Sequence, residues 1–212
     1  MTDILALDIA TTTGWARGKA EAYCEGCGWI EPIEQIQKRG AISCCPERNI
    51  IWRRPQSGVI TFGKSGSSNN AVFYNCLQWI SKLLEPEPRP HILYLEDMLP
   101  PTAKAGMTSR DVRDRLAGLH GVIRAVAYAR GIYEIHSAGV NDVRDHFLQT
   151  GGFQRDKAKR ETIARCRALG WDVADDNAAD ALALWSYACA LIKPEWATQV
   201  SPMFNKALRA AE

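Results

Sequence analysis

The sequence predicts an α/β fold, a mixed sheet flanked by helices on both faces, with a small cysteine-rich insertion after an early hairpin. Three observations point there. Apolar runs of strand length occur at residues 4–9 and 58–63. From residue 69 onward, segments of helical period alternate with short apolar runs, the pattern of a sheet covered by helices. The 212 residues are 46% hydrophobic and 24% charged, the balance of a folded chain of about one domain.

The elements follow in order. Residues 4–9 form an apolar strand interrupted only by Asp8, and Thr11-Thr12-Thr13-Gly14 turns the chain into a returning strand at Trp15. Residues 19–57 differ in texture: Gly, Glu, Arg and four of the seven cysteines, with no sustained period. We read them as an insertion within one domain spanning 1–212. Strand character returns at 58–63, and Val72, Phe73, Cys76, Leu77, Trp79, Ile80, Leu83 and Leu84 recur at helical spacing. Pro86, Pro88 and Pro90 stop that helix, because each removes a donor and biases its predecessor toward extended geometry. A strand at 91–98, a long helix at 108–130 ended by Gly131, a strand at 132–135 and a helix at 140–148 come next. After Gly151-Gly152, helices at 157–169 and 178–192 flank a loop. No internal repeat is present.

Composition excludes several classes. Lys plus Arg number 26 and Asp plus Glu 24, so the total charge of +2 announces no nucleic-acid partner. A basic surface must come from segregation, and residues 104–167 do hold thirteen bases against seven acids. No apolar window of about 18 residues predicts a membrane span. Met1-Thr2-Asp3 leads into the first strand without a basic stretch, so no secretory signal is read and a cytoplasmic protein is expected. An odd cysteine count there favours a metal site plus buried thiols over a disulfide framework.

Three acids stand where acids are costly. Asp8 interrupts one strand, Glu96 ends another, and Asp180 lies at the start of an alanine-rich helix. Desolvation and like-charge repulsion disfavour ionised carboxylates in such places, so they need partners. Mg²⁺ selects carboxylates and water, and two ions about 3.5–4 Å apart activate a water and stabilise the leaving oxygen of a phosphodiester. Taken singly, each acid reads first as a cap or ion-pair partner, and Asp176 reads as the N-cap of the last helix. Their joint arrangement points instead to metal-assisted hydrolysis.

Four motifs carry a resemblance. They are Leu5-Ala6-Leu7-Asp8-Ile9-Ala10-Thr11-Thr12-Thr13-Gly14-Trp15-Ala16, Ile92-Leu93-Tyr94-Leu95-Glu96-Asp97, Arg115-Leu116-Ala117-Gly118-Leu119-His120-Gly121 and Asp175-Asp176-Asn177-Ala178-Ala179-Asp180-Ala181-Leu182-Ala183. In this order they resemble the RuvC family of Holliday-junction resolvases, of the RNase H-like or retroviral-integrase superfamily, in its bacterial and phage-encoded forms. The resemblance covers nearly everything outside 19–57. It implies an RNase H-like fold, a homodimer, branched DNA as substrate, and Mg²⁺ or Mn²⁺, two per site, at Asp8, Glu96 and Asp180. The family's fourth ligand, an Asp or His three residues before the last Asp, falls on Asn177, which adds no charge. Asp176, four residues before Asp180 on the same helix face, is the alternative. Lys157 lies where the family has a basic residue near the scissile phosphate, and Arg144 matches another.

Two other readings of the Asp8 motif fit less well. The phosphate loop of actin-like sugar kinases needs two lobes, more than 212 residues supply. In integrases the third acid is usually Glu, whereas here the second acid is Glu and the last a late Asp. The leading expectation is a structure-selective endonuclease of four-way junctions. A nuclease of RNA–DNA hybrids and a non-catalytic junction-binding protein are the alternatives.

Arg110, Arg113, Arg115, Arg124 and Arg130 line the middle helix, while Arg155, Lys157, Lys159, Arg160, Arg165 and Arg167 crowd a later one. They read as a solvated face or as a phosphate track whose affinity falls with salt, Arg144, Arg155, Lys159 and Arg160 being the leading contacts. Leu116, Leu119 and Val122 are candidates for the dimer interface or for the core.

Cys24 and Cys27, with Cys44 and Cys45, resemble a four-thiolate zinc site, although the adjacent second pair is unusual. A redox pair or plain buried thiols are the alternatives. Arg53 and Arg54 would give the insertion a surface for DNA or for a dimer partner. Purified protein is expected to hold about one Zn²⁺ per chain. Cys24→Ser with Cys27→Ser should release it and expose residues 19–57 to protease while the remaining domain stays folded. Absence of zinc with all four thiols freely titratable would contradict this reading.

Overall fold

The computed structural model describes residues 2–19, 22–24, 30–31, 50–52, 54–98, 109–149 and 153–192. Strands β1 (Asp3–Asp8) and β2 (Thr12–Lys19) form the expected hairpin. Three short strands follow, β3 (Ala22–Cys24), β4 (Ile30–Glu31) and β5 (Ile50–Trp52), and then β6 (Gln56–Thr61). The rest alternates: α1 (Asn69–Leu83), β7 (Ile92–Glu96), α2 (Arg110–Ala129), β8 (Glu134–Ala138), α3 (Val140–Leu148), α4 (Arg155–Ala168) and α5 (Asp176–Ile192). Among the described residues no helix is long and apolar enough to cross a membrane.

The main sheet has the order β6-β2-β1-β7-β8. β2 runs antiparallel to both β6 and β1, whereas β1, β7 and β8 are parallel. This mixed sheet with helices on both faces is the RNase H-like α/β architecture expected from the sequence. Within residues 19–57, strands in the order β4-β3-β5 form a second, three-stranded sheet, which the lack of period there had not foretold. Cys27, Cys44, Cys45 and Arg53 lie outside the described residues, as does the side chain of Cys24.

Alternation along the strands builds two cores. Ile4 and Ala6 of β1, with Ile92 and Tyr94 of β7, pack against α3, α4 and α5. Leu5, Leu7, Leu93 and Leu95 face the other way, against α1 and α2. Gly118 lets α2 lie close on Phe73 of α1, since a Cβ there would sit 2.1 Å from the ring. Leu119 is fully buried in this second core, so it is a core residue and offers no interface surface. Leu116 and Val122 are half-buried.

Boundaries moved where caps decide them. Ser68 and Ser109 accept from the backbone of Ala71 and Val112 and start α1 and α2. The last helix begins at Asp176, two residues earlier than its apolar pattern suggested. Its cap is Asp175, whose Oδ1 accepts from Ala178 N at 2.9 Å, and Asp176 is not the cap. Strand β8 starts two residues later than read and runs on to Ala138.

Gly14 governs how the last helix meets the sheet. It pairs with Asp8 across the hairpin, and a Cβ built on it would lie 1.9 Å from the carbonyl oxygen of Asn177. The backbone of α5 therefore rests directly on β2 beside Asp8. Gly14→Ala should force the helix off the sheet at an overpacking cost of about 2–3 kcal/mol, a fall of roughly 5 °C or more in Tm. Gly121→Ala, on α2 with open space around it, should instead stabilise by about 1 kcal/mol. Thermal denaturation of both variants checks the account, and an unchanged Tm for Gly14→Ala would refute it.

Candidate active site

Strand register brings the first two acids together. In the parallel pair β1–β7, Ile4 faces Ile92 and Leu7 faces Leu95, so the next positions along are Asp8 and Glu96. Period-2 alternation turns both toward the face of Ile4, Ala6, Ile92 and Tyr94, where α5 packs. Neighbouring strands lie about 4.8 Å apart, so the carboxylates stand abreast. Ala6 and Ala16 on the sheet, with Ala178, Ala179, Ala181 and Ala183 on α5, are all buried and small enough to let the helix close over them. That closure carries Asp180 to the pair.

Electrostatics show the crowding. The Asp8 carboxyl is pushed well above its ordinary range, first by burial, then by Glu96 and Asp180, with Lys159 pulling the other way and Asp176 adding to the rise. Burial first and Asp180 second raise Glu96 to about 7, against the opposing pull of Arg144. Asp180 is raised by burial, opposed by Arg144, Lys159 and Arg155. Each carboxyl keeps an edge toward solvent, yet most of its surroundings are protein.

Asp176 differs. Its Oδ2 accepts a hydrogen bond from Lys159 Nζ, and that bond holds its carboxyl below the ordinary range. Asn177 spends its amide on Asp175, Nδ2 donating to Oδ2 at 3.2 Å.

The cations sort by helical geometry. Lys159 and Arg155, one turn apart on α4, both lie within the field of Asp180. Lys157, two residues from Lys159 and so about 200° round the helix, is exposed, with its ammonium 4.4 Å from the centre of the Phe153 ring. The lysine that acts on the acids is thus Lys159, whereas the resemblance had pointed to Lys157 as the basic residue near the scissile phosphate. Only helix phase could have revealed this, and the Gly151-Gly152 break left that phase open. Arg144, on α3, acts on both Glu96 and Asp180, and Arg160 is exposed on α4.

Other arginines are structurally engaged. Arg115 donates to Asn69 Oδ1 at 2.7 Å and to the Ser67 carbonyl, and Arg124 donates to Ser137. Arg165 lies over the Phe147 ring. Arg54 is near Gly170, beyond the C-terminal end of α4. The middle helix therefore contributes less to a basic track than its sequence suggested.

As a donor set, three clustered and largely desolvated carboxylates suit a hard divalent cation, which would offset the charge that burial and repulsion penalise. Among the described residues, however, no three Asp, Glu, His or Cys side chains already form a group ready to hold an ion. The acids are neighbours that act on one another electrostatically.

No family model matches the chain. No curated protein matches it either. Solved structures do. RuvC from Thermus thermophilus superposes with a TM-score of 0.57 at 14% identity, over 91% of this chain and 97% of that one. The T. thermophilus RuvC structure in complex with Holliday junction substrate gives 0.58 at 12% identity, over 91% and 96%. The yeast mitochondrial Holliday junction resolvase Ydc2 gives 0.51 at 12%, over 98% and 84%. The fold is RuvC-like.

A pH dependence follows from Glu96. Its folded-state pKa lies above the unfolded value, so its contribution to stability is full below about 4.5 and is lost as pH climbs through about 7. A shift of this size corresponds to about 3 kcal/mol, shared with the acids it titrates beside. Metal-free protein should therefore melt at lower temperature at pH 8 than at pH 6. Glu96→Gln should raise Tm at pH 8 and flatten the profile. A flat wild-type profile in the presence of a chelator would contradict the crowding.

Proposed function

We propose that the chain is an endonuclease of branched DNA, hydrolysing phosphodiesters at four-way junctions. The observation that carries this reading is the convergence of Asp8, Glu96 and Asp180 at one end of a RuvC-like sheet, flanked by Lys159, Arg144 and Arg155. A DNA strand brings a negative phosphate to a negative site, so cations must stand beside the acids, and they do.

Asp8, Glu96 and Asp180, with Asp176 at the rim, are the residues that would hold Mg²⁺ or Mn²⁺. Bound there, two such ions would supply Lewis acidity that activates water and offsets charge on the leaving oxygen. The chain's own part is to seat the phosphate. Lys159 and Arg155 approach it from α4 and Arg144 from α3, while exposed Arg160 extends the track along the duplex arm. Lys157, turned outward, serves at most as a distant phosphate contact. Between the two candidates for the fourth ligand we favour Asp176, because Asn177 brings no charge.

Resolution cuts two opposed strands, and a two-fold dimer presents two such sites. Leu116 and Val122, half-buried on α2, are the candidates for that contact.

The test is cleavage of a synthetic four-way junction with Mg²⁺ or Mn²⁺, beside duplex DNA and an RNA–DNA hybrid. Junction-selective cutting supports the reading. Cutting of the hybrid alone would make the protein a different nuclease, and tight junction binding without cutting would make it a binding protein. Asp8→Asn, Glu96→Gln and Asp180→Asn should each abolish cleavage and leave junction binding. Lys159→Ala should slow cleavage by about 10²-fold or more, the cost of one lost charge stabiliser. Lys157→Ala should stay near wild type, and the reverse order of the two lysines would overturn the assignment.

A further inference from the structure

A cleft lies on the sheet face turned away from the acids. Helix α1 leads from β6 to β7 and α2 from β7 to β8, so the two helices run the same way and end together. Arg89 ties those ends. Its Nε donates to the Leu84 carbonyl at 3.1 Å and its Nη1 to the Arg130 carbonyl at 3.0 Å, while Nη2 pairs with Glu87. Beside this joint, along the second half of α1, is a cavity of about 540 Å³. That volume falls within the roughly 300–1,000 Å³ of sites that take small molecules. Helix α1 packs on the face of Leu5 and Leu7, and α5 on the opposite one, so the sheet separates the cleft from the acids.

Three kinds of group meet in the cleft. The first is an aromatic wall: Trp79 lines it and is half-buried. Its ring is held against Phe62, centroids 5.6 Å apart, and Asn75 braces the same turn by donating Nδ2 to the Phe62 carbonyl at 2.8 Å. The second is charge. Lys82 and Arg130 bring two cations and Glu85 one carboxylate, and among the described residues none of the three side chains makes an ion pair. Cations near helix C-termini ordinarily answer the terminal carbonyls. Here Arg89 already bonds one at the end of each helix, so Lys82 and Arg130 remain uncommitted. The third is neutral hydrogen bonding, from Gln78 and Ser81.

We propose that this cleft binds one nucleotide unit. The base lies against Trp79, the phosphate is held by Lys82 and Arg130, and Glu85 accepts from sugar hydroxyls or a base amino group. Stacking on an aromatic side chain tolerates any base, and charge-assisted bonds to phosphate are among the stronger a side chain makes. No metal ion enters, and the site stands apart from the nuclease reading. A free nucleotide and a nucleotide within a DNA strand offer this same chemistry.

The experiment is calorimetric titration of the full-length chain, without added divalent ions, with adenosine monophosphate, adenosine, inorganic phosphate and a thymidylate tetramer. Adenosine monophosphate should bind, and adenosine and phosphate, each lacking half of the contacts, should bind at least about tenfold more weakly. Lys82→Glu, at an exposed position, and Arg130→Gln should each weaken binding at least about tenfold, with circular dichroism unchanged. Lys64→Glu, exposed before the start of α1, should leave it unchanged. Binding of adenosine monophosphate identifies a free nucleotide as ligand. Binding of the tetramer alone, lost in Lys82→Glu, identifies a strand. Phosphate held as tightly as adenosine monophosphate would reduce the cleft to an anion patch and overturn the proposal. So would the absence of any probe whose affinity falls in both cleft variants.

Discussion

Three carboxylates brought together beneath one helix are the constraint on which the rest of this molecule depends. Asp8 and Glu96 stand abreast because β1 and β7 are parallel and in register, and Asp180 joins them because α5 lies directly on the sheet. Each addition makes the last more costly, since burial and like charge both oppose ionisation. Glycine at position 14 and alanines on both sides of the contact are what allow so close an approach. A bulkier seam would bury more apolar surface but would hold Asp180 away from the strands. The helix seam thus gives up some packing to bring the acids together.

The flanking cations follow from that choice. Near-neutral overall composition hides their placement, because neutrality is a sum and a phosphate responds to what is near. Arg144, Arg155 and Lys159 come from two helices that begin near the acids, and they act on the inner carboxylates without closing ion pairs on all of them. Arg115 and Arg124, equally basic in sequence, are used to tie α2 to neighbouring segments. Position on the helix, more than residue type, separates the two groups.

Much of the fold was legible because strand and helix periods are local. The apolar runs at 4–9 and 91–98 marked the strands, and the parallel register of β1 and β7 then puts Asp8 and Glu96 on one face by counting. Asp180 was legible from its motif. Helix phase across a break was not legible: Gly151-Gly152 separates α3 from α4, so no periodic signal fixes whether Lys157 or Lys159 turns inward. The cap of α5 was misplaced by one residue because Asp175 and Asp176 are chemically equivalent as caps, and only the backbone decides between them. The strands of the insertion were missed because two or three residues are too few to show a period.

We propose that the carboxylates at the ends of β1 and β7 and on α5 form one divalent-cation site. Crystals grown without DNA and soaked in Mn²⁺ test it most directly, through anomalous diffraction at the manganese edge. The account predicts a peak within about 2–2.5 Å of oxygens from Asp8, Glu96 and Asp180, typical of hard-cation ligation. Strong peaks elsewhere, with none touching these three residues, would contradict it.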